Sequence, residues 1–255
     1  MRVASSIVLS LVFAAAFTVP AAAQKPASPD TAYVHLGDAA TGTGAFVAYP
    51  PTKDRAPAVI IGFEWWGLTG HMRAVARRLA REGGYVVIVP DLYHGKVADD
   101  PDQAHVLMRG LETDAANHDL DAAMAWLRAS PKVKGRIGVM GFCMGGGVAL
   151  DFGLHNPDLS AVVMFYGHPN TDATALAALK APVMAHFGQL DDGIPQAKID
   201  AFSDAMKKAG RTLKVFTYPG AGHAFMNDTR PSYNPDAARQ AWARTMEFFQ
   251  KSLRD

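Results

Sequence analysis

Cysteine is nearly absent from this sequence, which has one, Cys143, among 255 residues. A single thiol excludes an intramolecular disulfide and a zinc cluster built on cysteine pairs. The nine histidines are scattered, and none starts a His-Glu-x-x-His pattern. Because no recognisable ligand set is present, we expect the protein to use neither a metal ion nor another cofactor.

An excess of charge of either sign is also lacking, with 25 Lys and Arg against 24 Asp and Glu. A balanced chain has no electrostatic preference for nucleic acid or for an anionic membrane surface, so we expect neither as a partner. Hydrophobic residues make up 49% of the sequence. This content is enough for the buried core of one large or two small soluble domains.

A long membrane-spanning run is missing too, since the apolar stretch 7–17 is shorter than the roughly 20 residues that a bilayer requires. It follows the basic start Met1-Arg2 and precedes Ala21-Ala22-Ala23, an order typical of a secretory signal peptide. We predict that residues 1–23 are cleaved off and that the protein is exported, to a bacterial periplasm, with no stable membrane association afterwards. An uncleaved N-terminal anchor is the alternative.

The rest of the chain is expected to form one α/β domain over residues 31–255, after a disordered, Pro- and Ala-rich leader at 24–30. Short apolar runs alternate with amphipathic stretches there, which predicts a mostly parallel sheet covered by helices. The continuous apolar run 58–63 is typical of a central buried strand. Residues 70–81 instead place apolar side chains at helical spacing. No internal repeat or composition break marks a second domain.

The turn Gly141-Phe142-Cys143-Met144-Gly145 follows the strand-like run 137–142 and precedes a helix expected to end near His155. It has the G-x-S-x-G pattern of a nucleophile elbow, with a thiol in place of the serine hydroxyl. Small neighbours let strand and helix approach, and the N-terminus of a helix favours the thiolate form of a cysteine there. The alternative is a cysteine that only fills space in the core.

A thiol nucleophile needs a base and an acid that orients the base, and candidates for both stand downstream in the order found in α/β-hydrolases. Asp191-Asp192 follows the strand-like run 181–187, and His223 follows the strand-like run 213–218. Open parallel sheets place their sites at these strand ends. Alternatively, the acidic pair caps the helix that begins at Pro195, and His223 is an ordinary loop histidine.

A glutamate beside two tryptophans stands at the end of the predicted strand 58–63. With this feature, the sequence resembles the dienelactone hydrolase family in five motifs that occur in order: Glu64-Trp65-Trp66-Gly67, Pro90-Asp91-Leu92-Tyr93, Gly141-Phe142-Cys143-Met144-Gly145-Gly146, Asp191 with Ile194-Pro195, and Gly222-His223-Ala224-Phe225. The resemblance spans essentially all of the chain from Thr31 to Leu253. It implies a single domain of the α/β-hydrolase fold, with a mostly parallel central sheet of about eight strands flanked by helices.

By position, the resemblance implies that Cys143 is the nucleophile and His223 the base. Asp191, rather than Asp192, matches the orienting acid, because it stands three residues before Ile194-Pro195. The implied reaction is acyl transfer, in which the thiol attacks a lactone or ester carbonyl and forms a thioester. Water activated by His223 then hydrolyses the thioester.

The resemblance also implies roles for the loop after the central strand. Glu64 matches a glutamate that takes the thiol proton when substrate binds, so that the thiolate forms only then. The backbone N–H groups of Trp65 and Met144 would make the oxyanion hole. Shortly after the histidine, where well-studied members hold a substrate carboxylate with an arginine, this chain has Asn227, and Arg230 is displaced by three positions.

Four further residues are expected to contact the substrate: Trp66, Tyr93, Phe225 and Arg109. The sequence therefore predicts an exported monomeric hydrolase of carboxymethylenebutenolidase type, which cleaves small lactones or carboxylic esters. A non-catalytic protein of the same fold that binds a ligand or a partner is the alternative. A thiol-dependent peptidase or acyltransferase is a third reading, which no large lid insertion supports.

Overall fold

Residues 30–254 are described by a computed structural model, and they form one sheet of eight strands with seven helices. The predicted signal peptide, 1–23, and all but the last residue of the predicted leader lie outside the described residues. The strands are β1 Thr31–Leu36, β2 Thr43–Ala48, β3 Ala56–Gly62, β4 Val86–Pro90, β5 Val133–Phe142, β6 Ala161–Phe165, β7 Val183–Gly188 and β8 Leu213–Tyr218. The helices are α1 Gly70–Gly83, α2 Pro101–Arg109, α3 Thr113–Ala129, α4 Met144–His155, α5 Ala173–Leu176, α6 Gln196–Lys208 and α7 Pro235–Leu253.

The strand order is β1-β2-β4-β3-β5-β6-β7-β8, and every pairing from β4 to β8 is parallel. The pairings of β1 with β2 and of β2 with β4, at one edge, are antiparallel, so β2 alone runs against the other strands. This architecture confirms the predicted mostly parallel eight-stranded α/β fold. The chain moves outward from β3 to β4 and then crosses to β5 on the other side of β3. Such a reversal opens a crevice at the carboxyl ends of β3 and β5, the usual ligand position in open α/β sheets.

Helices cover both faces of the sheet, because right-handed crossovers that move in opposite directions put their helices on opposite sides. The crossover to β4 contains α1, which packs against α7 through a hydrogen bond from the Trp242 indole to Glu82, 2.8 Å long. The crossovers to β5 and β6 contain α3 and α4, which contact each other. Strands β4, β6 and β7 are buried along their whole length, as expected for strands covered on both faces.

The helix predicted over residues 70–81 shows how local signals define these elements. It begins after Thr69, whose side chain caps the Met72 N–H, and it buries Met72, Val75 and Leu79 against the sheet. It ends where Gly84 adopts a left-handed conformation, with φ at 66°. No helix among residues 30–254 has the length and apolarity needed to cross a bilayer.

Candidate active site

Cys143 occupies a strained turn between β5 and α4. Its backbone has φ 53° and ψ −118°, a combination that residues with a side chain rarely adopt. The turn is fixed by hydrogen bonds from the Cys143 N–H to the Phe165 carbonyl, 3.0 Å, and from the Gly145 N–H to the Phe63 carbonyl, 3.1 Å. A Cβ added at Gly145 would stand 2.4 Å from the Gly62 backbone, so only glycine permits this approach of α4 to β3. The thiol is half-buried.

His223 and Asp191 form a close pair beside this turn. The His223 Nδ1 atom lies 2.7 Å from Asp191 Oδ2, and the carboxylate is almost fully buried. Asp191 also accepts the Gly193 N–H at 3.0 Å, whereas Asp192 points into solvent. Burial raises the pKa of Asp191, but the hydrogen bond and charge of His223 outweigh it and hold that pKa below its usual value.

Cys143 is the other side chain that acts on the His223 imidazole. Burial lowers the pKa of His223, but Asp191, which accepts a hydrogen bond from the ring, and the neighbouring Cys143 raise that pKa to about 10. The imidazole is therefore protonated at neutral pH, between a carboxylate on one side and a thiol sulfur on the other. In this arrangement the histidine can hold a proton ready for a leaving group.

Glu64 lies behind the turn, at the end of β3, and is only 3% exposed. One of its carboxylate oxygens accepts the Asn227 side-chain N–H at 2.5 Å, and the other accepts the Tyr166 hydroxyl at 3.4 Å. Burial raises the pKa of Glu64, and the charge of His71 is the largest influence that opposes this rise. Its raised pKa makes this carboxylate a stronger base than an exposed glutamate.

Tyr166 links Glu64 to the elbow and was not singled out from the sequence. Burial raises its pKa well above the usual value, and the negative charges of Glu64 and Cys143 raise it further. Its ring centre lies 5.1 Å from that of His223. Its position directly after β6, at the same sheet edge as the predicted site residues, is the signal that could have identified it.

The predicted oxyanion-hole residues flank the thiol. Trp65 follows Glu64 at the end of β3, and Met144 is the first residue of α4. Because Met144 starts a helix, its N–H has no acceptor within that helix and is free for a ligand. The Tyr93 hydroxyl donates to the Trp65 carbonyl at 3.2 Å and contacts the Met144 sulfur at 3.0 Å, which braces both segments.

A cavity of about 560 Å³ opens above Cys143 and His223. Its walls are largely apolar and include Trp65, Trp66 and Met108. Arg230 adds a positive charge to the lining, with its guanidinium carbon 3.9 Å from the ring centre of Trp66. The space suits a small molecule with an apolar body.

Of the four residues predicted to contact substrate, Trp66 lines this cavity and the other three stand outside its lining. Tyr93 is buried, and its hydroxyl is bound to the Trp65 carbonyl. Phe225 is fully buried and packs edge-on against Tyr166, with ring centres 5.2 Å apart. Arg109 is exposed at the end of α2, where the preceding residue, Met108, reaches the cavity instead.

No group of three or more His, Cys, Asp or Glu side chains within residues 30–254 is arranged to hold a metal ion. The described residues offer a thiol and an imidazolium at one apolar cavity, with two buried carboxylates behind them. Such a set suits nucleophilic attack on a polarised carbonyl carbon.

Sequence and structure comparisons relate this chain to known proteins. The sequence model of the dienelactone hydrolase family matches residues 43–253. A protein of Methylorubrum extorquens, provisionally named carboxymethylenebutenolidase, is 36% identical over 222 residues, which cover 81% of this chain and 76% of that protein. A protein of Escherichia coli strain K12 with the same provisional name is 33% identical over 223 residues, which cover 81% of this chain and 82% of that protein.

A solved structure is also similar to this chain over most of its length. The crystal structure of a protein of Klebsiella pneumoniae, provisionally named dienelactone hydrolase, has a TM-score of 0.81 and 28% identity to this chain. The match covers 88% of this chain and 100% of that structure. The residues matched by the family model include every residue that lines the cavity above Cys143.

Proposed function

The chain belongs to the dienelactone hydrolase family and is a hydrolase of ester or lactone bonds in small molecules, and we propose that its nucleophile is the Cys143 thiol. One observation carries the proposal. Cys143 stands at a strained turn beside His223, whose imidazole is held by the buried Asp191 at 2.7 Å. This is the order and geometry of a nucleophile, a base and an orienting acid.

The first half of the proposed reaction forms a thioester. The Cys143 thiolate attacks the carbonyl carbon of the substrate, and the carbonyl electron pair moves to the oxygen, where the N–H groups of Trp65 and Met144 stabilise it. When the carbonyl re-forms, the bond to the leaving oxygen breaks. The leaving alkoxide takes the proton of the His223 imidazolium and departs as an alcohol.

The second half uses water. Neutral His223 takes one proton from a water molecule, whose oxygen attacks the thioester carbon. The carbon–sulfur bond then breaks, and Cys143 leaves as a thiolate beside a re-formed imidazolium. One ester or lactone bond and one water are consumed in each cycle, and the pair returns to its starting charges.

Glu64 is proposed to create the thiolate by accepting the proton of the Cys143 thiol when substrate is bound. It returns this proton to the sulfur once the thioester has been hydrolysed, so that the thiol and the carboxylate are both restored. Two features support this role. The carboxylate is buried, so its pKa is raised toward that of a thiol, and proton transfer between them becomes less uphill. Tyr166 hydrogen-bonds Glu64 and lies close enough to Cys143 to feel its charge.

The proposed substrate is a small lactone or ester with an apolar body that fits between Trp65, Trp66 and Met108. A carboxylate on such a substrate would pair with Arg230, which supplies a guanidinium to the lining. Asn227 does not serve this purpose, because its amide group is bound to Glu64. We further propose that the protein acts as a monomer and is exported through its N-terminal signal peptide.

Turnover of p-nitrophenyl acetate tests the nucleophile. We expect Cys143→Ala to lose activity by about 10³-fold or more, as is usual when a nucleophile is removed. Ser232 is the matched comparison, because it lines the same cavity, and S232A should lose no more than about tenfold.

Two results would contradict the mechanism. Unchanged turnover in a folded Cys143→Ala variant would remove the thiol from the reaction. Wild-type protein that binds esters and lactones without cleaving them would favour the alternative of a non-catalytic binding protein.

A further inference from the structure

His168 lines the cavity above Cys143 but has no part in the proposed reaction. It comes two residues after Tyr166, where β6 ends in a left-handed backbone turn with φ 40°. Strained turns of this kind are concentrated at functional sites, because the surrounding structure must stabilise them. The His168 side chain is exposed, so a substrate that enters the cavity can replace the water around its imidazole.

Lys198, in the first turn of α6, fixes the chemical form of this imidazole. Its Nζ atom lies 3.0 Å from His168 Nδ1. An ammonium group can only donate hydrogen bonds, so Nδ1 must be the acceptor and carries no proton. The ring is therefore uncharged, and its one N–H group is at Nε2. Burial and the charge of Lys198 both lower the pKa of His168, which agrees with an uncharged ring at neutral pH.

This N–H group is available to a ligand. The two nitrogens project from different corners of the imidazole, so the Nε2–H bond points away from the Lys198 ammonium. Because His168 is exposed and lines the cavity, the N–H can reach a hydrogen-bond acceptor there. An uncharged donor suits an ether, hydroxyl or carbonyl oxygen, whereas a carboxylate is bound more strongly by a guanidinium such as that of Arg230.

The sheet order indicates which part of a substrate His168 meets. Strands β3, β5 and β6 are neighbours in that order, and the chain places Trp66 after β3, Cys143 after β5 and His168 after β6. Trp66 and His168 therefore lie on opposite sides of the nucleophile. His223, after β8, lies on the same side as His168 and lines the same cavity. Since His223 gives its proton to the leaving oxygen, the alcohol part of the substrate lies on this side.

We propose that His168 is a specificity-determining residue, which donates its Nε2–H to an uncharged oxygen in the alcohol part of the ester or lactone. Lys198 is a positioning residue, which keeps the proton on Nε2. This inference rests on the proposed attack by Cys143 and proton transfer from His223. Arg230 stacks on Trp66, on the other side of the cavity, so the two polar groups would recognise different parts of one substrate.

Two esters of equal size test the proposal, 2-methoxyethyl acetate and butyl acetate. They differ in a single position of the alcohol part, where an ether oxygen replaces a CH₂ group. The selectivity is the kcat/KM of the ether ester divided by that of the butyl ester. Comparing this ratio between variants cancels the difference in intrinsic reactivity between the two esters.

His168→Asn and His168→Gln are matched variants, because they place the same amide at different reach. The Gln amide nitrogen can occupy the position of Nε2, whereas Asn is one CH₂ shorter. We expect His168→Asn to lower the selectivity about three- to tenfold, the usual effect of one neutral hydrogen bond. The loss should appear mainly as a higher KM for the ether ester. His168→Gln should stay within about twofold of the wild type.

Three variants of α6 test the positioning role. Lys198→Met removes the ammonium, so the proton is shared between the two ring nitrogens, and the selectivity should fall about twofold. Lys198→Arg should restore it, because a guanidinium also only donates. Lys207, exposed in the last turn of the same helix, is the control, and Lys207→Met should reproduce the wild-type ratio.

Each remaining outcome contradicts one specific statement. If both variants of His168 keep the wild-type ratio while Cys143→Ala loses turnover of both esters, this inference alone is overturned. If His168→Asn and His168→Gln lower the ratio equally, the N–H at Nε2 is not the recognising group, and the inference also fails. If Lys198→Met behaves as Lys207→Met does, the positioning role is wrong. If folded Cys143→Ala still cleaves both esters, the proposed function fails, and this inference fails with it.

Discussion

His223 holds its proton because its interactions with Asp191 and Cys143 outweigh the cost of burying it. Burial alone would lower its pKa, but Asp191, which accepts a hydrogen bond from the ring, and Cys143 raise that pKa to about 10. The same contacts keep the Asp191 carboxylate ionised. The pair therefore enters the proposed reaction with the proton that the leaving group needs, and the folded state contains a pH-dependent source of stability.

This pH dependence gives a prediction at the scale of one residue. A histidine in the unfolded chain has a pKa near 6.5, so the stabilisation is complete below about pH 6.5 and is lost as the pH rises toward 10. We expect the free energy of unfolding in urea to fall across this window. The fall should be smaller in His223→Gln, whereas His155→Gln, at a histidine that pairs with Asp121 on the exposed surface, should follow the wild type. Parallel profiles for wild type and His223→Gln would contradict the prediction.

Contacts within the candidate site could be predicted from the sequence where chain order and spacing indicate them. Spacing ahead of Ile194-Pro195 favoured Asp191 over Asp192, and in the structure it is Asp191 that contacts His223. The link between Glu64 and Asn227 joins residues 163 positions apart, and no local pattern indicates it. Tyr93 and Phe225 were predicted to contact the substrate but are buried. Whether a loop side chain points into the core or into a cavity depends on how the loop packs, and the hydrophobic periodicity of the sequence carries no information on this.

Helix α4 approaches β3 closely enough that position 145, in its first turn, has room only for glycine. A Cβ at Gly145 would meet the Gly62 backbone at 2.4 Å, and main-chain atoms cannot move aside as a flexible side chain can. Gly147, on the same helix, would place its Cβ 3.7 Å from the His168 carbonyl, an ordinary contact. Alanine substitutions at the two positions therefore distinguish the cost of a steric clash between α4 and β3 from the gain in stability that alanine brings to a helix.

We expect opposite effects from alanine at these two positions of α4. Gly145→Ala should destabilise the protein by about 1–3 kcal/mol, the usual cost of overpacking, and should reduce kcat by displacing the elbow. Gly147→Ala should raise stability by about 0.5–1 kcal/mol, because alanine favours a helix interior. Urea unfolding of both variants measures the difference. Equal stabilities would show that the close approach of α4 to β3 relaxes at little cost.

Helices and strands could be predicted where their patterns are long. The continuous apolar run 58–63 predicted a central strand, and the structure has β3 at Ala56–Gly62. The helical spacing over 70–81 predicted α1, which occupies Gly70–Gly83. Helix α5, Ala173–Leu176, was not predicted, because four residues are too few to show a helical period.

At the scale of the whole molecule, the site is assembled from the carboxyl ends of five strands. Glu64 follows β3, Cys143 β5, Tyr166 β6, Asp191 β7 and His223 β8. These strands are adjacent and parallel, so their ends meet at one edge of the sheet. Groups that lie up to 159 positions apart in the sequence therefore meet at one edge of the sheet, where Cys143, Tyr166 and His223 line the cavity.

Export would set a further requirement on this arrangement, because an oxidising compartment threatens a lone thiol. Here the thiol is half-buried at the base of a cavity, which limits contact with a second copy of the chain.

We predict that the secreted protein begins at Gln24, since Ala23 provides the small residue that a signal peptidase requires. N-terminal sequencing of periplasmic material measures this directly. Ala23→Leu should retain the precursor, whereas Ala27→Leu, beyond the cleavage site, should be processed normally. Mature protein that still begins at Met1 would contradict cleavage and favour an uncleaved N-terminal anchor.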